Sequence, residues 1–353
     1  MAQKKMLPAT QTLQQQLDGE RRLVSFDSYD LSVRQLLDMF ESGEIDVPPE
    51  YQRQFIWDES RESQLIESVL LGIPVPSLFM ATNSDSTWEI VDGVQRLGTL
   101  AHFLGSSKLL KKINRSSALK IEELEKLSAL NNTVYNDLPK SVQLMFSTRP
   151  MRVTVLNDKS DQNVRFDLFE RLNTGGISLT NQEIRNCVFR GPFNEDIKRL
   201  ALDKNFMAMI NLKSGDSKNG TAEEHALRFL AFFDQYKQFD HSVKDFLNNY
   251  MQHCALRKIT PSLERIFKQT FALLNKNLPK GVVRGNRGVT PVNLFEGIAV
   301  GTALAIKTGK PIAEGKLQEL LDDQDLRVFT TGATNTKKSV VGRIEYVRDA
   351  LVN

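Results

Sequence analysis

The segment EIVDGVQRLGTL, Glu89 to Leu100, places an acid, a glycine, an amide and a guanidinium at the point where an apolar alternating run gives way to helical spacing. Asp92 could hold a magnesium ion or accept a proton, and Gln95 could orient a water. Arg96 could fork onto phosphate oxygens. Gly93 would let a phosphate approach the main chain where a helix starts and its N–H groups lack internal partners. The same letters also spell an ordinary strand-to-helix corner, with Asp92 as N-cap and Gln95 and Arg96 in solvent.

Three further stretches carry candidate groups. PPEYQRQFIW presents Tyr51, Gln52 and Arg53 on a proline-stiffened backbone just ahead of Phe55 and Trp57. They could form a polar wall over an aromatic floor, or Arg53 could pair with a neighbouring carboxylate over plain core. FERLNTGGISLTNQEIRN sets Arg171 and Asn173 before a Gly-Gly corner. Asn173 and the glycines suit a helix end, and Thr180 with Glu183 has capping-box spacing. Arg171, Arg185 and Asn186 have no purely structural assignment. PKGVVRGNRGVT holds Arg284 and Arg287 among glycines, where they could clasp a nucleic-acid backbone or sit in a solvated loop. HSVKDFLNNYMQHC has His241, Asn248 and His253, but its helical periodicity throughout argues against a His-Asn-His nuclease.

The elements that must position these groups follow from periodicity. LSVRQLLDMFESG puts Leu31, Val33, Leu36, Leu37 and Phe40 on one helical face, with Ser32 as N-cap and Gly43 as stop. RESQLIESVLLG reads as a second amphipathic helix, SLFMA and WEIV as short strands, and MRVTVL as another. The lysine-rich SSKLLKKINRSSALKIEELEKL reads as an insertion or surface helix. From residue 159 the pattern is helical: DQNVRFDLFERL, SLTNQEIRNCVF, TAEEHALRFLAFFDQY, SVKDFLNNYMQHCAL, SLERIFKQTFALLNK, PVNLFEGIAVGTALAI and VVGRIEYVRDALV. The expected organisation is a polar Gln-rich arm over 1–21, an α/β domain over 22–158 and an α-helical domain over 159–353. The fold class is therefore α+β.

The chain of 353 residues is long enough for two cores, and its net charge of +3 makes no global case for nucleic acid. Its two cysteines, Cys187 and Cys254, are far apart and the four histidines are scattered, which argues against disulfide scaffolds and zinc sites. No apolar run reaches the ~18 to 20 residues of a membrane span, and no signal-peptide core opens the sequence. A reducing cytoplasm is the expected setting.

In order, YQRQFIWD, LIESVLLGIPVPSLF, WEIVDGVQRLGTL, FERLNTGGISLTNQEIRN and TNTKKSVVGRIEYVRDAL resemble one family. Its signature is D-G-Q-Q-R, and it forms the N-terminal part of GmrSD-type restriction endonucleases. The resemblance implies a small ParB- and sulfiredoxin-like α/β domain followed by helices. It further implies a nucleoside triphosphate pocket around the turn and a role in restricting foreign DNA. By position, Asp92, Gly93, Gln95 and Arg96 take the signature, Tyr51, Gln52 and Arg53 the other wall, and Arg171 with Asn173 the R-L-N-T-G-G motif.

Val94 stands where the signature has its first Gln, which puts hydrolysis rather than binding in question. No His-Asn-His nuclease pattern is read within this sequence, so the sensing or nucleotide-handling part is expected. The implied function is a nucleotide-binding and hydrolysing sensor in a bacterial restriction or anti-phage defence system, with magnesium on Asp92 and DNA as partner. The alternatives are a non-hydrolysing module that switches a separately encoded nuclease, and a metal-dependent nickase. A homo-oligomer is also open.

Overall fold

The structure, a computed structural model, describes residues 13–15, 17, 18, 25–48, 57–83, 85–157, 162–172, 179–214, 216, 219–285 and 288–352. The chain divides into two compact units, Met1–Ser178 and Leu179–Asn353. The fold is α+β, as expected.

The first unit is built on a five-stranded sheet. Its strands are β1 (Phe26–Ser32), β2 (Ile45–Asp46), β3 (Leu78–Thr82), β4 (Trp88–Asp92) and β5 (Pro150–Leu156), in the spatial order β1-β5-β3-β4-β2. The β1/β5 and β3/β4 pairs are antiparallel, and the β5/β3 and β4/β2 pairs are parallel. The sheet curls enough to bring the rings of Tyr29 on β1 and Trp88 on β4 to 5.3 Å. Helices α1 (Val33–Ser42) and α2 (Glu59–Leu71) follow the expected pattern. Ser32 Oγ caps α1 by accepting from Gln35 N, Asp58 caps α2, and Gly43 and Gly72 end them in left-handed conformations. Helix α3 (Val94–Leu104) leaves β4 through the candidate corner.

Three features depart from the sequence reading. Strand β1 takes Leu31 out of the expected helical face; exposed along most of its length, it lacks the alternation that reveals a strand. The lysine-rich segment is no surface insertion. It forms only the short helix α4 (Ser107–Lys112) and then winds inward, burying Leu109, Ile113, Leu119, Ile121 and Leu124. Main-chain N–H groups of Glu122 and Leu127 donate to Ser63 and Glu67, which ties the segment to α2.

The third departure concerns the division of the chain, which falls after Ser178 rather than after 158. After α5 (Lys140–Thr148) and β5 comes α6 (Gln162–Leu172), which buries Phe166 and Phe169 and sends Arg165 back to the Thr82 carbonyl and Asn83 Oδ1. Helical periodicity assigned it to the helical region, but its tertiary partners belong to the sheet.

The second unit is helical. It contains α7 (Asn181–Val188), α8 (Pro192–Ala201), α9 (Lys204–Met207), α10 (Thr221–Gln235), α11 (Val243–Cys254), α12 (Pro261–Asn277), α13 (Val292–Lys307), α14 (Lys316–Asp322), α15 (Gln324–Thr330) and α16 (Lys337–Val352). The capping box of Thr180 and Glu183 starts α7 as expected. Helix α13 is buried on nearly all sides. It packs tightly on α16: a Cβ at Gly301 would stand 2.6 Å from Val347 Cβ.

A buried alternation of charge joins four of these helices. Arg185 Nη1 donates to Glu224 at 3.0 Å, Arg228 bridges Glu224 and Glu296 at 2.7 Å each, and Arg343, fully buried, closes on Glu296. Arg185 Nε also donates to Asn248 Oδ1 at 2.8 Å, and Asn186 Oδ1 accepts from Gln182. Arg185, Asn186 and Asn248 thus hold the interior together. His241 and His253 are exposed on the surface.

Candidate functional site

The corner begins with an irregularity in the sheet. Phe79 pairs with Asp92 and Met80 with Ile90, so the register shifts across Val91 and the end of β4 turns before the helix starts. Gly93 then adopts φ +99°, in the left-handed region, and a Cβ there would meet Leu78 Cδ2 at 2.4 Å. A side chain is excluded on both counts.

Gly93, not Asp92, is the N-cap of α3, and no side chain caps the helix. The first intrahelical bond runs from Leu97 N to Gly93 O at 2.9 Å. The amino end of α3 therefore carries its partial positive charge without a side-chain acceptor on it.

Asp92 has a different duty from capping. Its Oδ2 accepts from Arg96 Nη2 at 2.6 Å, one turn along. Arg96 Nη1 donates to the carbonyls of Pro76 at 2.6 Å and Ser77 at 3.1 Å, so the guanidinium clamps the segment ahead of β3 to the corner. The Arg96 side chain is 11% exposed and that of Asp92 32%. Arg96 is thus not in solvent, and its guanidinium donates to Asp92 and to the Pro76 and Ser77 carbonyls.

Gln95 Oε1 accepts from Trp57 N at 3.3 Å, while Arg115 Nη2 donates to Trp57 O at 3.4 Å and Arg61 lies 4.5 Å over the Trp57 ring. Arg115 continues to Glu62 at 3.8 Å, and Glu62 Oε2 to His102 Nδ1 at 2.7 Å. His102 Nε2 meets the Ser117 carbonyl. This chain fixes the start of α2 against α3.

Val94 lies 6% exposed, in the core. At the first position of α3 the side chain turns inward, so a valine supplies packing there. The polar edge of the corner belongs to Gln95.

Asp92, Gly93, Gln95 and Arg96 are thus brought together. Arg171 is exposed near the end of α6. Tyr51, Gln52, Arg53, Asn173 and Arg287 lie outside the described residues. Arg284 is not held out in a loop: it is 7% exposed, and its Nε and Nη2 donate to Leu321 O and Thr330 Oγ1 within the second unit. That buried commitment argues against the DNA contact expected of it.

Sequence reasoning missed one ionic feature beside the corner. Glu89, in the middle of β4, is fully buried, and Arg165 Nη2 approaches its Oε2 to 3.7 Å. A carboxylate inside an apolar run was the available signal, because such a charge requires a buried partner.

Among the described residues there is no group of three or more His, Cys, Asp or Glu that could cage a metal, and no helix long and apolar enough to cross a membrane. A single carboxylate still fits magnesium, which binds through one or two carboxylates together with substrate phosphates.

Residues 33–190 match the family model described as the GmrSD restriction endonuclease, N-terminal domain. No significant match is found among curated proteins or among solved structures.

Proposed function

We propose, from the premise that the chain carries a GmrSD restriction endonuclease N-terminal domain over 33–190, that it is the nucleotide-responsive component of a restriction or anti-phage defence system acting on or with DNA. In this reading a nucleoside triphosphate docks at the amino end of α3 and is hydrolysed there. The observation that carries the reading is the corner itself: a helix start with no side-chain cap, behind a glycine that admits no side chain, beside a part-exposed carboxylate.

The residues then divide the work. Gly93 and the first turn of α3 receive the phosphates. Gln95 stands at the polar edge, where an amide orients a water. Asp92 offers Oδ1 to magnesium while Oδ2 stays with Arg96; the ion would supply charge neutralisation for the phosphates. Arg96 is a positioning residue, holding Asp92 and the Pro76–Ser77 main chain in place. The remainder of the reading, in which Tyr51, Gln52, Arg53, Arg171 and Asn173 complete the pocket on a ParB-like frame, rests on the family's motifs.

One observation favours a second reading, in which nucleotide binding switches a separately encoded nuclease without turnover. Arg96 already donates to three protein oxygens, and the signature's first Gln is a buried valine.

Phosphate release and calorimetric binding, measured with each common nucleoside triphosphate and magnesium, with and without DNA, separate the readings. Turnover that is lost in Asp92→Asn and Gln95→Ala supports hydrolysis at the corner. Saturable binding without turnover selects the switch, and no binding under any condition removes both. Magnesium-dependent nicking abolished by Asp92→Ala would instead establish a nickase.

A further inference from the structure

The second unit has a cleft of about 450 Å³ between α10, α11 and the start of α12, within the size range of small-ligand sites. Its lining is chemically mixed. Arg257 and Lys258, on the turn after α11, and Lys307, at the end of α13, line one part. Among the described residues none of these three cations forms an ion pair. Lys307 Nζ lies 5.2 Å from the centre of the Phe233 ring. Asp234, exposed, and Cys254, half-buried, line the same cleft, with Arg257 near enough to act on the Cys254 thiol. Apolar lining comes from Phe193, Ile259, Leu263 and Ile266.

Three cations without an ion pair against one carboxylate select an anion, and the carboxylate in the same cleft selects a hydrogen-bond donor on the same ligand. The apolar lining suits a flat, weakly polar body. Burial first, then the nearby Cys254 and Asp234, push the Tyr250 hydroxyl far above its ordinary pKa, so the phenol lining the cleft stays protonated. An inorganic anion would leave the apolar lining unused, and a purely apolar ligand would leave the cations without an anion.

We propose that this cleft binds a nucleoside 5′-phosphate, with the phosphate on Arg257, Lys258 and Lys307 and an amino-bearing base directed to Asp234. The contacts are the same for a free nucleotide and for an unpaired residue of a DNA strand, and the test distinguishes the two sources. The site does not depend on the corner at Gly93, which lies in the other unit.

Cys254 provides a direct readout. It lines the cleft, whereas the other cysteine, Cys187, is buried in the interior. Burial and Asp234 push the Cys254 thiol up in pKa, against the opposing pull of Arg257, so alkylation by N-ethylmaleimide is run at mildly alkaline pH. The full-length protein is labelled with each deoxynucleoside 5′-monophosphate, a short single-stranded oligodeoxynucleotide, inorganic phosphate or poly-glutamate present.

At about ten times the dissociation constant, mass action slows labelling about ten-fold. Protection by monophosphates, strongest for amino-bearing bases, supports the proposal with a free ligand, and protection by the oligonucleotide alone supports it with a strand. Protection must disappear in Lys258→Glu/Lys307→Glu, with circular dichroism unchanged, and persist in Asp92→Asn. Equal protection by phosphate, protection by poly-glutamate alone, protection surviving the charge reversal, or no protection overturns it.

Discussion

Arg96 Nη2 and Asp92 Oδ2 meet at 2.6 Å across the first turn of α3, and this pair, rather than an N-cap, is what Asp92 contributes to the corner. The arginine's other nitrogen reaches the Pro76 and Ser77 carbonyls, so one side chain joins the segment before β3, the end of β4 and the start of α3.

Removing that fork should therefore be felt as lost stability before it is felt as lost function. Arg96→Ala is expected to cost about 2 to 3 kcal/mol in urea unfolding, because charge-assisted hydrogen bonds are lost at a mostly buried site. Arg96→Lys keeps the charge but not the fork, and should fall between the alanine variant and wild type.

Glycine substitutions at the end of α1 and at the corner separate two terms. Gly43 and Gly93 both have positive φ, but nothing lies within 4 Å of a Cβ at Gly43, whereas one at Gly93 strikes Leu78. Gly43→Ala should cost about 1 kcal/mol, the conformational term alone. Gly93→Ala should cost at least about 2 kcal/mol, since it adds overpacking against a buried leucine. Equal losses in thermal unfolding would contradict the geometry.

Arginine pairs of differing burial should differ sharply. Arg343→Ala leaves Glu296 short of a partner in the interior, with an expected loss of about 3 to 5 kcal/mol in urea unfolding. Arg152→Ala removes a pair with Asp30 in which both side chains are more than half exposed. That change should cost less than about 1 kcal/mol.

Acid stability of the second unit should report Glu224. Burial pushes its carboxyl up, but the charges of Arg228 and Arg185, with hydrogen bonds from both, outweigh burial and hold the pKa at about 2, against an ordinary 4.5. The native state thus binds the proton more weakly than the unfolded chain does. The stabilisation is fully present above about pH 4.5 and is lost as the pH falls towards 2. Unfolding of wild type and Glu224→Gln, followed from pH 6 to pH 2, should converge at the acid end; a constant gap would exclude this assignment.

Much of the frame was legible because local signals agreed with tertiary structure. Ser32, Gly43, Gly72, Thr180 and Glu183 mark helix ends in the sequence and cap them in the fold. Strand β1 was hidden because an exposed edge needs no alternation, and α6 was placed with the wrong neighbours because periodicity reports a helix but not what it packs against.

At the corner, residue types and spacing gave the position but not the partners. That Arg96 would bind Asp92 and two carbonyls depends on a segment ahead of β3, distant in sequence. Whether Val94 faces inward depends on how the β4 irregularity aims the helix. Arg284 misled for the converse reason: its flanking glycines suggest an open loop, while its acceptors, Leu321 and Thr330, lie far along the chain.

The sequence of contacts from Gln95 through Trp57, Arg115 and Glu62 to His102 leaves α3 near its start and returns to it near its end. Such a closed circuit does not open one link at a time, because each broken link strands a polar group in or near the interior. The beginning of α2 and both ends of α3 then share one opening event and one lifetime. The amide protons of the turn that would receive a ligand should then exchange for deuterium in step with those around the buried Glu62 and His102.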